Sequence, residues 1–74
     1  MKEQFLTYKG FHKSELHFLN EQGELICFNK SRWELIDDFE LKDNKSINQL
    51  FLARYFVHYS GDFTTYILSD LTLP

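Results

Sequence analysis

Residues 14–30, SELHFLNEQGELICFNK, decide how the rest of the chain is read. Two runs rich in strand-compatible residues flank Glu21-Gln22-Gly23. Glycine at the last loop position suits a three-residue hairpin loop, whose final residue is left-handed, because glycine has no Cβ to clash there. That register sets Asn20 opposite Glu24, Phe18 opposite Ile26 and Leu16 opposite Phe28. One face then reads Leu16, Phe18, Ile26, Phe28, a core face. The other reads Glu15, His17, Leu19, Leu25, Cys27, Asn29. A two-residue loop at Gln22-Gly23 mixes the faces and sets Glu21 against Glu24. A one-residue slip turns every side chain to the other face, so the three-residue loop is adopted.

A second hairpin is expected over 49–69, around Ser60-Gly61-Asp62. Phe51, Ala53, Tyr55, Val57 and Tyr59 alternate with Leu52, Arg54, Phe56 and His58, and the returning strand is Phe63 to Ser69. A three-residue loop gathers Tyr55, Val57, Tyr59, Phe63 and Ile67 on one face. The rival is a helix over 47–59, with Ser46 and Gln49 as a capping box and Gly61 near its end. Aromatic and β-branched content favours the strand.

Residues 32–42 carry two conflicting signals. Trp33, Leu35, Phe39 and Leu41 alternate with Glu34, Asp38 and Glu40, which is strand-like. Glu, Leu, Lys and Arg favour helix, Ser31 with Glu34 makes a capping box, and a helix gathers Leu35, Ile36 and Phe39 on one face. Periodicity tips the reading to a strand. Phe5 to Tyr8 is a further short strand. The expected fold is mainly β: a small antiparallel sheet or half-barrel of five or six strands in a single domain over 1–74, curling because closure removes edges. The alternative is α+β, with one helix (32–42 or 47–59) packed on the sheet.

A chain of 74 residues buries only about 60% of the surface it exposes when unfolded. Its eight Phe, four Tyr and one Trp must supply much of the core. No apolar run approaches the roughly 20 residues of a membrane span, and Met1-Lys2-Glu3-Gln4 leads into no secretory signal core. One cysteine, Cys27, allows no internal disulfide and fits a reducing, cytoplasmic setting.

The net charge of −3 lies wholly in 31–43, where Glu34, Asp37, Asp38, Glu40 and Asp43 face only Arg32 and Lys42. That opposes binding driven by phosphate neutralisation and permits docking on a basic protein. His17 and Cys27 sit opposite each other in the hairpin register, half of a zinc set or a nucleophile–base pair, but nothing supplies the remaining ligands or an orienting group and oxyanion site. Asp37, Asp38, Glu40 and Asp43 have no glycine-centred calcium-loop spacing. No metal, cofactor or catalytic constellation is assigned, and the expectation is a non-enzyme.

Tyr8-Lys9-Gly10-Phe11-His12-Lys13 interleaves basic and aromatic residues, and Lys9-Gly10-Phe11 matches the first three positions of an RNA-recognition pattern before it breaks off. The bland reading of the segment is a turn at Gly10 between two strands. The aromatic excess places some of Trp33, Tyr55, Tyr59 and Tyr66 on a surface beside the acidic segment. The expected function is therefore a small protein-binding module that occludes a partner, as an inhibitor, antitoxin, immunity or phage-accessory protein does. Its expected contact residues are Trp33, Asp37, Asp38, Glu40, Tyr55 and Tyr59. The same surface could instead join copies of the chain. The alternative function is a small β-barrel that binds single-stranded nucleic acid through Tyr8, Lys9, Phe11 and Lys13.

Overall fold

The first hairpin forms in the register its loop dictates. In the computed structural model, which describes residues 1–74, β2 (Glu15–Leu19) pairs β3 (Leu25–Phe28) with Leu16 opposite Phe28, His17 opposite Cys27 and Phe18 opposite Ile26. Gly23 adopts φ +80, and the Asn20 N–H donates to the Glu24 carbonyl at 3.0 Å. Asn20 Oδ1 also accepts from the Gln22 and Glu24 N–H groups, at 3.0 and 2.8 Å, so the loop closes on its own side chain.

β1 (Lys2–His12) lies between this hairpin and a second one. It turns into β2 through Lys13 and Ser14, both left-handed at φ 51 and 65. The turn is therefore here and not at Gly10. Gly10 sits inside β1 at a register shift opposite β2, with φ +132, a conformation that side-chain-bearing residues rarely adopt. A tight turn with both central residues at positive φ prefers Asn-Gly, and a left-handed residue with a Cβ costs about 1–2 kcal/mol. Lys13→Asn with Ser14→Gly is expected to raise stability by about 1–2 kcal/mol. The readout is a higher urea midpoint at unchanged slope, and an unmoved midpoint would show that the turn stores no strain.

The second hairpin, β5 (Leu50–Ser60) and β6 (Phe63–Thr72), has a two-residue loop, Gly61-Asp62. This corrects the expected three-residue loop. Gly61 at φ +60 with no positive φ at Asp62 is the turn that puts glycine at the first central position. Val57 consequently faces Tyr66, Phe56 faces Ile67 and Tyr55 faces Leu68, and beyond Tyr55 a register shift brings Arg54 opposite Asp70. Leu68 goes into the core and Ile67 to the other face, the reverse of the expected assignment. The rival helix over 47–59 does not form.

The six-stranded sheet has the order β3-β2-β1-β5-β6-β4. It is antiparallel except where β4 (Lys30–Ser31) runs parallel to β6, beside Ile67 and Leu68. Because β4 follows β3 after Asn29, the sheet curls so that one edge leads to the other, but it does not close into a barrel. The architecture is mainly β, as the sequence predicts.

The expected strand over 32–42 is replaced by a short helix, α1 (Trp33–Asp38), and a 3-10 turn at Leu41–Asp43. The helical face of Leu35, Ile36 and Phe39 is what decides it: Leu35 is buried and the other two pack against the core. The capping box does not form either. Pairing with β6 holds Ser31 extended, and the N-cap is Arg32, with no side-chain cap bond. The core lies in the concavity of the sheet under this segment. Phe18 is its centre, with ring centroids 5.1 Å from Tyr8, 5.6 Å from Phe28 and 6.4 Å from Phe51.

Candidate interaction surface

Residues 32–43 form a ledge fixed from three sides. β4 pins its start to β6, and Leu35 and Leu41 are buried. At its far end the Tyr8 hydroxyl donates to the Leu41 carbonyl at 2.7 Å, and Ser46 Oγ donates to the Phe39 carbonyl at 2.9 Å. With Leu35, Ile36 and Phe39 turned inward, the helical period leaves Trp33, Asp37 and Asp38 facing solvent. Trp33 is 68% exposed.

Glu40 adopts φ 51, which ends the helix and turns the chain so that Asp37, Glu40 and Asp43 border one shallow depression with Ile36 and Lys42. Its volume is about 200 Å³. Asp38 is exposed beside it but does not line it. Glu34 lies 3.9 Å from Arg32 and Glu40 lies 3.5 Å from Lys45, both exposed pairs. Asp37, Asp38 and Asp43 have no salt-bridge partner. No three His, Cys, Asp or Glu side chains are grouped to hold a metal ion.

Two of the tyrosines expected at the surface are elsewhere. Tyr55 is only 3% exposed: its alternation with Ala53 and Phe51 carries it into the core, where its hydroxyl donates to Gln4 Oε1 at 2.7 Å. Tyr66 is half-buried beside it, ring centroids 6.1 Å apart. Tyr59 is 71% exposed, but near the β5–β6 tip. β6 runs from Thr64, opposite Tyr59, to Leu68, beside Ser31, a span of roughly 13 Å at about 3.3 Å per residue. Trp33 follows Ser31, which pairs near the middle of β6, while Tyr59 stands at the start of that strand.

The basic–aromatic segment is dispersed in the same way. Tyr8 is fully buried, and burial pushes its phenol up to about 12. Phe11 is half-buried, with Lys42 Nζ 5.7 Å from its ring centre. Lys9 Nζ donates to Asn48 Oδ1 at 2.6 Å, and Lys13 stands at the turn. Stacking on bases needs open ring faces, which Tyr8 lacks because its position in β1 points into the concavity.

On the convex face His17 and Cys27 stand opposite each other, with the His12 ring edge-on to His17 at 6.1 Å. His17 Nε2 is buried without a hydrogen-bond partner. Burial pushes the Cys27 thiol up, and the Glu15 carboxylate adds to that, so the thiol holds its proton and is a poor nucleophile.

One cavity had no signal in the sequence. At the open end of the curled sheet, Lys2, Gln4, Glu24, Tyr55 and Tyr66 border a polar cleft of about 290 Å³. It joins the start of β1, the β2–β3 loop and the middle of β5 and β6, segments brought together only by sheet order. No protein-family model, curated protein or solved structure matches this chain.

Proposed function

We propose that the protein is a small non-enzymatic binding module that occludes a partner protein, docking it on the ledge of Trp33, Asp37, Asp38 and Glu40. The observation that carries this reading is Trp33 itself, 68% exposed on a helix whose neighbouring carboxylates include three without a cationic partner. A large aromatic anchor bordered by charge is how tight protein interfaces are built. The unneutralised carboxylates would steer a basic surface toward it. Tyr59 stands apart from this ledge, and Tyr55 serves the core beneath. An inhibitor, antitoxin, immunity or phage-accessory role and a reducing, cytoplasmic setting belong to the same proposal. The unpaired Cys27 accords with that setting.

The test is a comparative capture. Tagged wild type, Trp33→Ala and the double variant Asp37→Lys/Asp38→Lys are incubated with source-cell lysate, with and without nuclease treatment. Expected is a protein held stoichiometrically by wild type and lost by Trp33→Ala. The charge-reversed variant should associate at least tenfold more slowly at low salt, the lower end of what electrostatic steering supplies. Equal retention by all three proteins would remove the ledge from the reading. Recovery that vanishes with nuclease would overturn it in favour of nucleic acid. Each substitution is at an exposed position, where folding stability should stay within about 0.5 kcal/mol.

A further inference from the structure

The ledge roofs the concavity of the sheet where Leu41 takes the Tyr8 hydroxyl and Phe39 meets Phe51, ring centroids 5.1 Å apart. None of its residues borders the polar cleft of about 290 Å³ at the open end. Register decides what faces that cleft. Lys2 and Gln4 lie opposite Tyr55 and Ala53, and residues opposite each other project to one face, so both side chains turn toward the concavity. Across the cleft, Asn20 and Glu24 continue the inward alternation of Phe18 and Ile26. Between these walls lie Tyr55 and Tyr66, backed by the buried ring of Phe28, whose centroid is 5.3 and 6.2 Å from theirs.

The two walls carry opposite charges that do not meet. Lys2 has no ionic or hydrogen-bond partner in the chain, and Glu24 has only the Asn20 amide, which donates to its Oε1 at 3.1 Å. The Tyr55 hydroxyl donates to Gln4 Oε1 at 2.7 Å, which fixes that amide and leaves its N–H donors free on the same face as Lys2. The Tyr66 hydroxyl is a further donor without a partner. We infer that this cleft binds a free α-amino acid with an aromatic side chain, taken up as the zwitterion. Lys2 and the Gln4 amide hold its carboxylate, Glu24 holds its ammonium, and both are charge-assisted hydrogen bonds. Its ring packs on Tyr66, the one ring of the three with open surface, since Phe28 and Tyr55 are 1% and 3% exposed. A ligand with a second negative charge meets Glu24, and one with a second positive charge meets Lys2, so phosphates and polyamines are both disfavoured. A volume of about 290 Å³ lies at the lower edge of ligand pockets, roughly 300–1,000 Å³, and suits an occupant of this size. The cleft shares no lining residue with the depression on the ledge, so the two surfaces are separate.

The probe is L-phenylalanine, titrated into the protein to about 20 mM and followed by backbone amide chemical shifts. Expected are shifts at Gln4, Glu24 and Tyr66 that saturate with a Kd of about 1 mM, the ordinary ligand efficiency for a molecule of that size. L-Phenylalaninamide lacks the carboxylate, and N-acetyl-L-phenylalanine lacks the ammonium. Each should bind wild type at least tenfold more weakly, the lower end of what a hydrogen bond to a charged group contributes. Lys2→Met should bind the amide as well as it binds phenylalanine, and Glu24→Gln should treat the N-acetyl compound in the same way. Both positions are exposed, and glutamine keeps an acceptor for Asn20, so both variants should fold, as their own spectra will show. An absence of shifts in the cleft, equal binding of the three compounds by wild type, or variants that discriminate as wild type does would each overturn the inference.

Discussion

Phe18→Ala is expected to leave most molecules unfolded at room temperature. The ring is fully buried and touches the aromatic groups of Tyr8, Phe28 and Phe51, so three strands besides its own lose contacts together. Truncating a buried Phe costs about 3–5 kcal/mol. Native domains hold about 0.05–0.15 kcal/mol per residue, which for a chain of 74 residues is roughly 4–11 kcal/mol in total. One side chain thus stands for a large part of the whole. The matched control is Phe63→Ala, a residue 78% exposed, for which stability should move by no more than about 0.5 kcal/mol. Urea unfolding followed by circular dichroism reads both. Two similar midpoints would mean that the aromatic cluster is not where this fold keeps its stability.

The same cluster explains which parts of the fold were legible in the sequence. The 14–30 hairpin was legible because loop glycine and alternation agree: only one register buries Leu16, Phe18, Ile26 and Phe28 together. In the second hairpin they disagree by one residue. Gly61 fits the middle of a three-residue loop and the first position of a two-residue one, and both leave apolar residues on both faces. The choice between Ile67 and Leu68 is made by packing on Phe28 and Tyr55, which local pattern does not encode. Residues 32–42 failed for a related reason. Their alternation imitates a strand, but pairing with β6 stops after Lys30–Ile67 and Ser31–Leu68, and a helical face brings Leu35, Ile36 and Phe39 together onto the core. Burial of Leu35 then selects the helix.

The candidate surface was legible where it depends on one segment. Trp33, Asp37, Asp38 and Glu40 are near neighbours in sequence and share one exposed ledge. Tyr55 and Tyr59 are also near neighbours, yet one enters the core while the other stands at a strand tip. Alternation assigned both to the same face, and the difference is how far β1 extends along β5. The polar cleft follows from sheet order, so it leaves no mark in any local stretch of sequence.

Tyr8 links the buried cluster to the ledge, and alkali should expose that link. Its hydroxyl is buried and donates to the Leu41 carbonyl at 2.7 Å, so a phenolate there would lose its hydration and face a carbonyl dipole of the wrong sign. Burial moves the phenol from 10.0 up to about 12. The folded chain therefore keeps a proton that the unfolded chain releases. Stability is fully present below pH 10 and falls as pH rises toward about 12. Two pH units correspond to about 3 kcal/mol. Tyr55, raised by burial and then by Tyr66, acts in the same direction. Tyr8→Phe should lower stability at neutral pH by about 1–3 kcal/mol, because the Leu41 carbonyl keeps its burial and loses its donor. The variant should also lose less between pH 10 and 12 than wild type does, so the two curves converge in alkali. Urea midpoints taken across that range decide the matter. A variant that falls as steeply as wild type would assign the alkaline transition to Tyr55 and leave Tyr8 as a packing residue only.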